Sequence, residues 1–277
     1  AHPNGSAGTH IRHKGIPMTT SENKFTEEEV LWVKQHSPKH LTFAISRPEA
    51  YRFSAGQFAR LGFRAGTDGN GFIWRAYSMI SAEYADTLEF FVILIDGGEM
   101  SARLAALQAG DRILLDKTAQ GFFLPGRFPD GKDLIMLSTG SGIAPFLSIL
   151  QQPAVWERFD TLALAHSVSF ARDLIFNDWI RGLSDHPLIA EHIGKLRFVP
   201  ITTRETTEGA LSCRLPELLK NGRLAQAFQR PFTPADSRFM ICGNPQMVQD
   251  VFKTLLNMGF AMHRNKLPGQ IMMENGF

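Results

Sequence analysis

Apolar and polar positions follow two different patterns along the chain. From Phe25 to about Pro125 the apolar residues come in short or alternating runs. These are Val30-Leu31-Trp32-Val33, Leu41-Thr42-Phe43-Ala44-Ile45, Gln57 to Gly62, Ile73 to Met79, Leu88 to Ile95 and Arg112-Ile113-Leu114-Leu115. Such runs, bounded by Gly, Pro and polar clusters, predict β-strands. Lys34 to His40, which contains Pro38, reads as a turn, and so does the glycine-rich Gly66 to Gly71. Only Met100 to Gln108 has helical spacing here, with Gly110 as its stop signal. Six strands and one helix predict an antiparallel β-barrel.

After Pro125-Gly126 and Pro129-Asp130-Gly131 the pattern changes. A continuous apolar run at Leu134–Leu137 and the runs at Leu162–Ala165, Leu196–Ile201 and Arg238–Cys242 predict strands. Helical spacing lies between and after them, over Ala144–Gln152, Asp173–Leu183, Pro216–Lys220 and Gln246–Met258. Alternating strands and helices predict an α/β domain built on a parallel sheet with helices on both faces. The expected division is a β-barrel domain over residues 18–128 and a nucleotide-binding domain over 129–277. The length of 277 residues agrees with two domains. Residues 1–17 lack apolar periodicity and the apolar core of a signal peptide. They are expected to be a disordered tail, or an addition to a natural chain that starts at Met18.

Composition narrows the function. A formal charge of +2 gives no reason to expect nucleic acid or a membrane surface as partner. No apolar run approaches the roughly 18–20 residues that cross a bilayer. Two cysteines, Cys213 and Cys242, exclude a disulfide framework and any four-cysteine zinc or iron–sulfur site. No metal site is expected. A reducing, cytoplasmic compartment and a monomer are the simplest expectations.

The candidate chemistry sits at strand ends. Thr139-Gly140-Ser141-Gly142-Ile143-Ala144-Pro145 follows an apolar strand and opens a helix. Glycines allow a tight turn, and Pro suits a first helical turn, where its missing N–H costs nothing. The result is an anion site suited to a diphosphate, although a plain strand-to-helix turn has the same pattern. Thr202-Thr203-Arg204-Glu205 ends the third strand, and Arg214 follows ten residues later; hydroxyl and guanidinium groups together can bind a phosphate, or be ordinary surface groups. Cys242-Gly243-Asn244-Pro245 ends the fourth strand, where the cysteine is either a neighbour of a bound ring or a small core residue. In the first half, Arg75-Ala76-Tyr77-Ser78 closes a strand. Alternation puts Arg75 and Tyr77 on one face and Ala76 and Ser78 on the other. Gly97-Gly98-Glu99-Met100-Ser101 leads into the single helix of that half.

In this order the motifs RAYS (75–78), GEMSARL (98–104), GFF (121–123), STGSGIAPF (138–146), TRE (203–205) and CGNPQMV (242–248) resemble the ferredoxin/flavodoxin–NADP(+) reductase family, bacterial branch. The likeness runs from Met18 to Phe277. It implies an enzyme that binds FAD and NADP(H) and exchanges electrons between NADP(H), as hydride, and a one-electron carrier, ferredoxin or flavodoxin. On this resemblance Arg75, Ala76, Tyr77, Ser78, Phe91, Val92, Gly98, Met100, Ser101 and Phe277 hold FAD. Thr139, Gly140, Gly142, Arg172, Thr203, Arg204, Arg214, Cys242 and Gly243 meet NADP(H). Ser78, Cys242, Glu274 and Phe277 take the catalytic positions, with Phe277 stacked on the flavin and displaced by nicotinamide. Two positions differ from relatives. Ser169, followed by Arg172, stands where close bacterial relatives often carry an arginine, and Phe277 replaces a terminal Trp or Tyr of some of them. Acidic carriers call for a basic patch, for which Arg47, Arg52, Arg60, Arg64 and Lys117 are candidates. Competing readings are a flavin, ferric-chelate or oxygenase-partner reductase on the same plan, and a non-enzymatic flavin redox sensor.

Overall fold

The computed structural model describes residues 24–65 and 71–276. The expectations for residues 1–17, for the turn at Gly66–Gly71 apart from Gly71, and for Phe277 therefore lie outside the described residues. The barrel strands are β1 (Phe25–Ser37), β2 (His40–Ser46), β3 (Phe58–Ala65), β4 (Gly71–Ser78), β5 (Thr87–Ile93) and β6 (Arg112–Asp116). Their order is β4-β3-β6-β1-β2-β5, with every neighbour antiparallel. Closure comes from an isolated bridge between Met79 and Phe90, beside which the Ile80 N–H donates to the Glu89 carbonyl at 2.9 Å.

Strand β1 runs longer than its apolar stretch. Its first half pairs with β6 and its second half with β2, up to Ser37 opposite His40. The expected turn over Lys34–His40 is therefore only Pro38-Lys39; Lys34 to Ser37 belong to a polar, partly exposed strand. The helix, α1 (Glu99–Ala105), ends short of Gln108. Gly110, at φ +93°, turns the chain back toward β1, its N–H donating to the Val30 carbonyl, rather than capping the helix.

The second domain carries β7 (Asp133–Thr139), β8 (Thr161–Val168), β9 (Leu196–Thr202), β10 (Leu211–Ser212), β11 (Ser237–Gly243) and β12 (Ile271–Asn275). All are parallel, in the order β10-β9-β8-β7-β11-β12. Alternate strand residues feed two cores. Leu134, Met136, Leu162, Leu164 and Met240 pack on α2 (Ala144–Ile149), α3 (Pro153–Arg158) and α4 (Asn177–Arg181). Ile135, Leu137, Ala163, Ala165 and Ile241 pack on α5 (Leu215–Lys220), α6 (Arg223–Phe228) and α7 (Pro245–Asn257). The expected helix over Ala144–Gln152 stops at Ile149, and Pro153 starts α3. The expected helix over Asp173–Leu183 is broken. Asp173 accepts from the Phe170 N–H, Leu174 leaves helical geometry at ψ 53°, and α4 starts only at Asn177. Among the described residues no helix is long and apolar enough to cross a membrane.

The first of those cores crosses between the domains, because Ala55, Ile80, Phe91, Phe123 and Phe128 of the barrel side belong to it. Phe91 meets Phe176 edge-on with ring centroids 4.9 Å apart. Ser148 Oγ donates to the Ser81 carbonyl at 2.7 Å, and Gln151 Nε2 to that of Ile80 at 2.8 Å.

Candidate active site

The carboxyl end of the parallel sheet is shaped by glycine. A Cβ on Gly142 would lie 2.2 Å from the Cys242 carbonyl oxygen. Gly243, at φ +144°, would bring one to 2.2 Å from Thr139 Oγ1. Only without side chains there can the ends of β7 and β11 close on each other. Thr139 Oγ1 then accepts the Asn244 N–H at 2.9 Å, and the Asn244 side chain caps α7 by accepting from Gln246 N at 2.9 Å.

Two hollows flank this junction. One, of about 430 Å3, lies over the ends of β7, β8 and β9. Thr139, Gly140, Thr203 and Arg214 line it, together with His40 and Ile93 from the barrel. Arg214 is the one Arg or Lys among its lining residues, and Asp173 and Asp250 share the wall. The three other expected coenzyme residues of the strand ends part company with it. Gly142 and Cys242 line the neighbouring slot, and Gly243 lines neither. Arg172 is exposed, with its guanidinium 4.6 Å from the Phe170 ring, and lies off the cavity wall. Arg204 is also exposed and off the wall. Glu205 beside it accepts from the Ala171 N–H, tying the Thr203–Glu205 loop to the segment after β8.

The second hollow is a narrow slot between the domains. Ala76, Tyr77, Ser78, Phe91 and Val92 line it from the barrel, and Gly142, Cys242 and Glu274 from the sheet. Residues separated by most of the chain are thus gathered at one seam. Glu274 arrives on β12, a strand that the apolar pattern did not announce, in register with Cys242. Burial lifts the Glu274 carboxyl to about 7 and the Tyr77 phenol to about 12. Burial, with the Glu274 charge beside it, pushes the Cys242 thiol well up, so it stays protonated at neutral pH. Both cysteines are free. Among the described residues no group of His, Cys, Asp and Glu could hold a metal ion.

The lining of the slot, rather than its open volume of about 40 Å3, is that of a flavin site. Ser78 and Glu274 line it, their side-chain oxygens without a hydrogen-bond partner among the described residues, beside Ala76, Tyr77, Phe91, Val92 and Ile93 from the barrel. Such a lining matches a flat ring with a polar rim. At α1, Gly98 is the N-cap in extended conformation with no side-chain cap, leaving the first N–H groups of the helix available to phosphate oxygens. Ser101 Oγ already accepts the Ile95 N–H at 2.8 Å. Met100 sinks its side chain into the barrel core, so it offers only its backbone N–H. Arg75 is exposed, donating to the Trp74 carbonyl at 2.8 Å.

Comparison with known proteins decides the family. The family model described as "Oxidoreductase FAD-binding domain" matches residues 32–122, and "Oxidoreductase NAD-binding domain" matches residues 136–253. "Ferredoxin--NADP reductase A" of Sorangium cellulosum is 34% identical over 262 residues, covering 91% of this chain and 90% of that protein. "Ferredoxin--NADP reductase" of Azotobacter vinelandii is 34% identical over 257 residues, covering 90% and 96%. The chain belongs to the ferredoxin–NADP reductase family. A crystal structure of a ferredoxin NADP+ reductase from Neisseria gonorrhoeae with bound FAD and NADP is 64% identical, with a TM-score of 0.87, covering 92% of this chain and all of that one.

Within this ferredoxin–NADP reductase fold, several wall residues carried no sequence signal. His40, Ser167 and Asp250 line the larger cavity only because the topology brings three elements together, and Gln246 was visible only as part of the CGNPQMV run. Asn244 was visible inside its CGNP run but not as the link between Thr139 and α7. All but Lys117 of the expected basic residues are engaged locally. Arg47 donates to the carbonyls of Tyr51, Glu83 and Ala85, Arg60 pairs with Asp116 at 3.6 Å, and Arg64 pairs with Glu27.

Proposed function

We propose that this chain is an FAD-dependent reductase exchanging electrons between NADP(H) and ferredoxin or flavodoxin, with its chemistry in the slot between Ser78 and Glu274. The observation that carries the reading is the meeting of barrel residues Ala76–Ser78 and Phe91 with Cys242 and Glu274 in one slot, next to the cavity bearing Arg214. FAD, when bound, supplies the conversion between two-electron and one-electron transfer.

The residues have separate tasks in this proposal. Tyr77, Phe91 and Val92 wall the ring, and the Ser78 hydroxyl hydrogen-bonds a ring nitrogen. Gly98, Met100 and Ser101 give backbone N–H groups to the diphosphate, and Arg75 adds positive charge. Thr139, Gly140 and Gly142 let the coenzyme approach the backbone closely. Thr203 and Arg214 receive the 2′-phosphate, with Arg204 and Arg172 outside the wall as a weaker, long-range field. Cys242, neutral, packs beside the nicotinamide with Gly243. Glu274, near neutrality in its titration, holds or releases a proton at its carboxyl. The protein would work as a cytoplasmic monomer whose two walls bring the bound coenzymes together for hydride transfer.

The test is an anaerobic titration of the yellow protein with NADPH and with NADH, followed by ferredoxin, flavodoxin, free flavin and a ferric chelate. Bleaching by NADPH well ahead of NADH, with fast reoxidation by the protein carriers, is expected. Ser78→Ala should slow the bleaching at least tenfold, about the worth of one hydrogen bond in the reacting geometry. A colourless protein that refuses FAD would end the proposal, and unchanged bleaching in Ser78→Ala would remove that residue's role.

A further inference from the structure

A second cavity between the domains, of about 240 Å3, shares no lining residue with the coenzyme cavity. Its floor is the outer face of the barrel sheet. Trp32 pairs with Ala44, and Ala44 with Glu89, so the three occupy one rung. Side chains paired across antiparallel strands share a face. The Trp32 indole and the Glu89 carboxyl thus flank a residue that adds only a methyl group. The facing wall comes from the other domain, with Ile175, Phe176 and Trp179. Trp32 and Trp179 are each 38% exposed, which sets both indoles at the rim.

Four polar side chains around this cavity, His36, Thr42, Ser81 and Gln151, are engaged. His36 Nε2 and Thr42 Oγ1 bond each other at 2.8 Å, and Gln151 Nε2 donates to the carbonyls of Ile80 and Leu147. Ser81 Oγ accepts the Glu89 N–H at 3.1 Å. One exception is the Lys34 ammonium, which has no partner among the described residues, and the other is the Glu89 carboxyl. Among the described residues the carboxyl has no hydrogen-bond or ion-pair partner, although Lys34 lines the same cavity, and burial raises its pKa. A half-buried carboxylate without a partner is stabilised by a cation that brings N–H donors. Indole faces attract both flat rings and cations. The volume holds a single substituted ring, since an apolar cavity of roughly 150 Å3 already takes benzene.

We propose that this cavity binds a small aromatic cation, a single ring carrying an amidinium or ammonium group, held by Glu89 at its charged end and by Trp32 and Trp179 along its ring. The occupant touches both domains and so bridges them, independently of the coenzyme.

Benzamidine is the probe. It is titrated into the FAD-loaded protein saturated with NADP(+), which fills the larger cavity, while tryptophan fluorescence and melting temperature are recorded. Saturable quenching and a rise in melting temperature are expected. Glu89→Gln should weaken binding roughly tenfold or more, as should exchanging benzamidine for neutral benzamide, because each removes a charge-assisted bond. Trp179→Ala should weaken it too, and it keeps the test open if Glu89→Gln fails to retain FAD. Absence of saturable binding, equal affinity in Glu89→Gln, or displacement of benzamidine by NADP(+) would each overturn the proposal.

Discussion

Cys242 and Glu274 are register partners on adjacent parallel strands, one on β11 and one on β12. Cys242 is buried and Glu274 half-buried, and the carboxylate charge contributes to the rise of the thiol. The pair therefore prefers to be fully protonated, which leaves the slot without a fixed anion at mildly acidic pH.

The first prediction follows from that preference. The Glu274 pKa in the fold, about 7, stands above its ordinary 4.5. Its neutral form therefore favours the native state below pH 4.5, and that contribution drains away as pH climbs to about 7. Glu274→Gln cannot ionise. Its stability relative to the parent should improve by about 2–3 kcal/mol between those limits. Urea melts at about pH 5 and pH 8 measure the change, and a pH-independent gap would mean the carboxyl is solvated. The bleaching rate with NADPH should also lose any inflection near pH 7 in this variant.

Arg214 should carry most of the discrimination between coenzymes, since it alone among Arg and Lys lines the larger cavity. Arg214→Ala is expected to raise KM for NADPH at least tenfold, a loss of about 1.5–3 kcal/mol, and to leave KM for NADH nearly unchanged. Arg172→Ala, which removes a guanidinium resting on Phe170 outside the wall, should shift either value less than threefold. Steady-state kinetics with both coenzymes would expose the reverse ranking.

Gly142→Ala tests the close approach of β7 and β11. The added methyl would meet the Cys242 carbonyl and the Gly243 Cα within 2.6 Å, and these are backbone atoms that cannot swing away. A loss of about 2–4 kcal/mol in stability is expected, with NADPH-dependent turnover down by about two orders of magnitude. Near-parental turnover would show that the junction can relax.

Arg238 lies far from the chemistry and is almost wholly buried. It donates to Asp130 at 3.0 Å through Nε and to the carbonyls of Pro234 and Ser237 at 2.9 and 2.8 Å. Arg238→Met leaves those carbonyls without a donor and should cost about 2–4 kcal/mol, read from denaturant melts. KM values of the folded fraction should not move.

Where apolar runs are continuous, the sequence alone located the strands. β7, β8 and β11 are buried on both faces, as β9 is over its last four residues, and a parallel sheet needs such runs. β12 escaped notice because Ile271–Asn275 is short, ends in polar residues and owes its conformation to pairing with β11. The second half of β1 escaped for the opposite reason: it is polar and partly exposed, and its hydrogen bonds go to β2 rather than to any local pattern. The RAYS and CGNP runs marked two walls of the slot. No local pattern could bring His40 beside Asp250, because that neighbourhood is created by domain packing. Arg172 entered only as the residue after the departing Ser169, and its seat on Phe170, off the cavity wall that Arg214 lines, sets the two apart.

The shared core around Phe91 and Phe176 has a consequence for heat inactivation. The slot takes one wall from each domain, so a slight parting of the halves dismantles it while every strand stays folded. Turnover should therefore fail several degrees before the circular dichroism of the sheets does, and cooling should restore it.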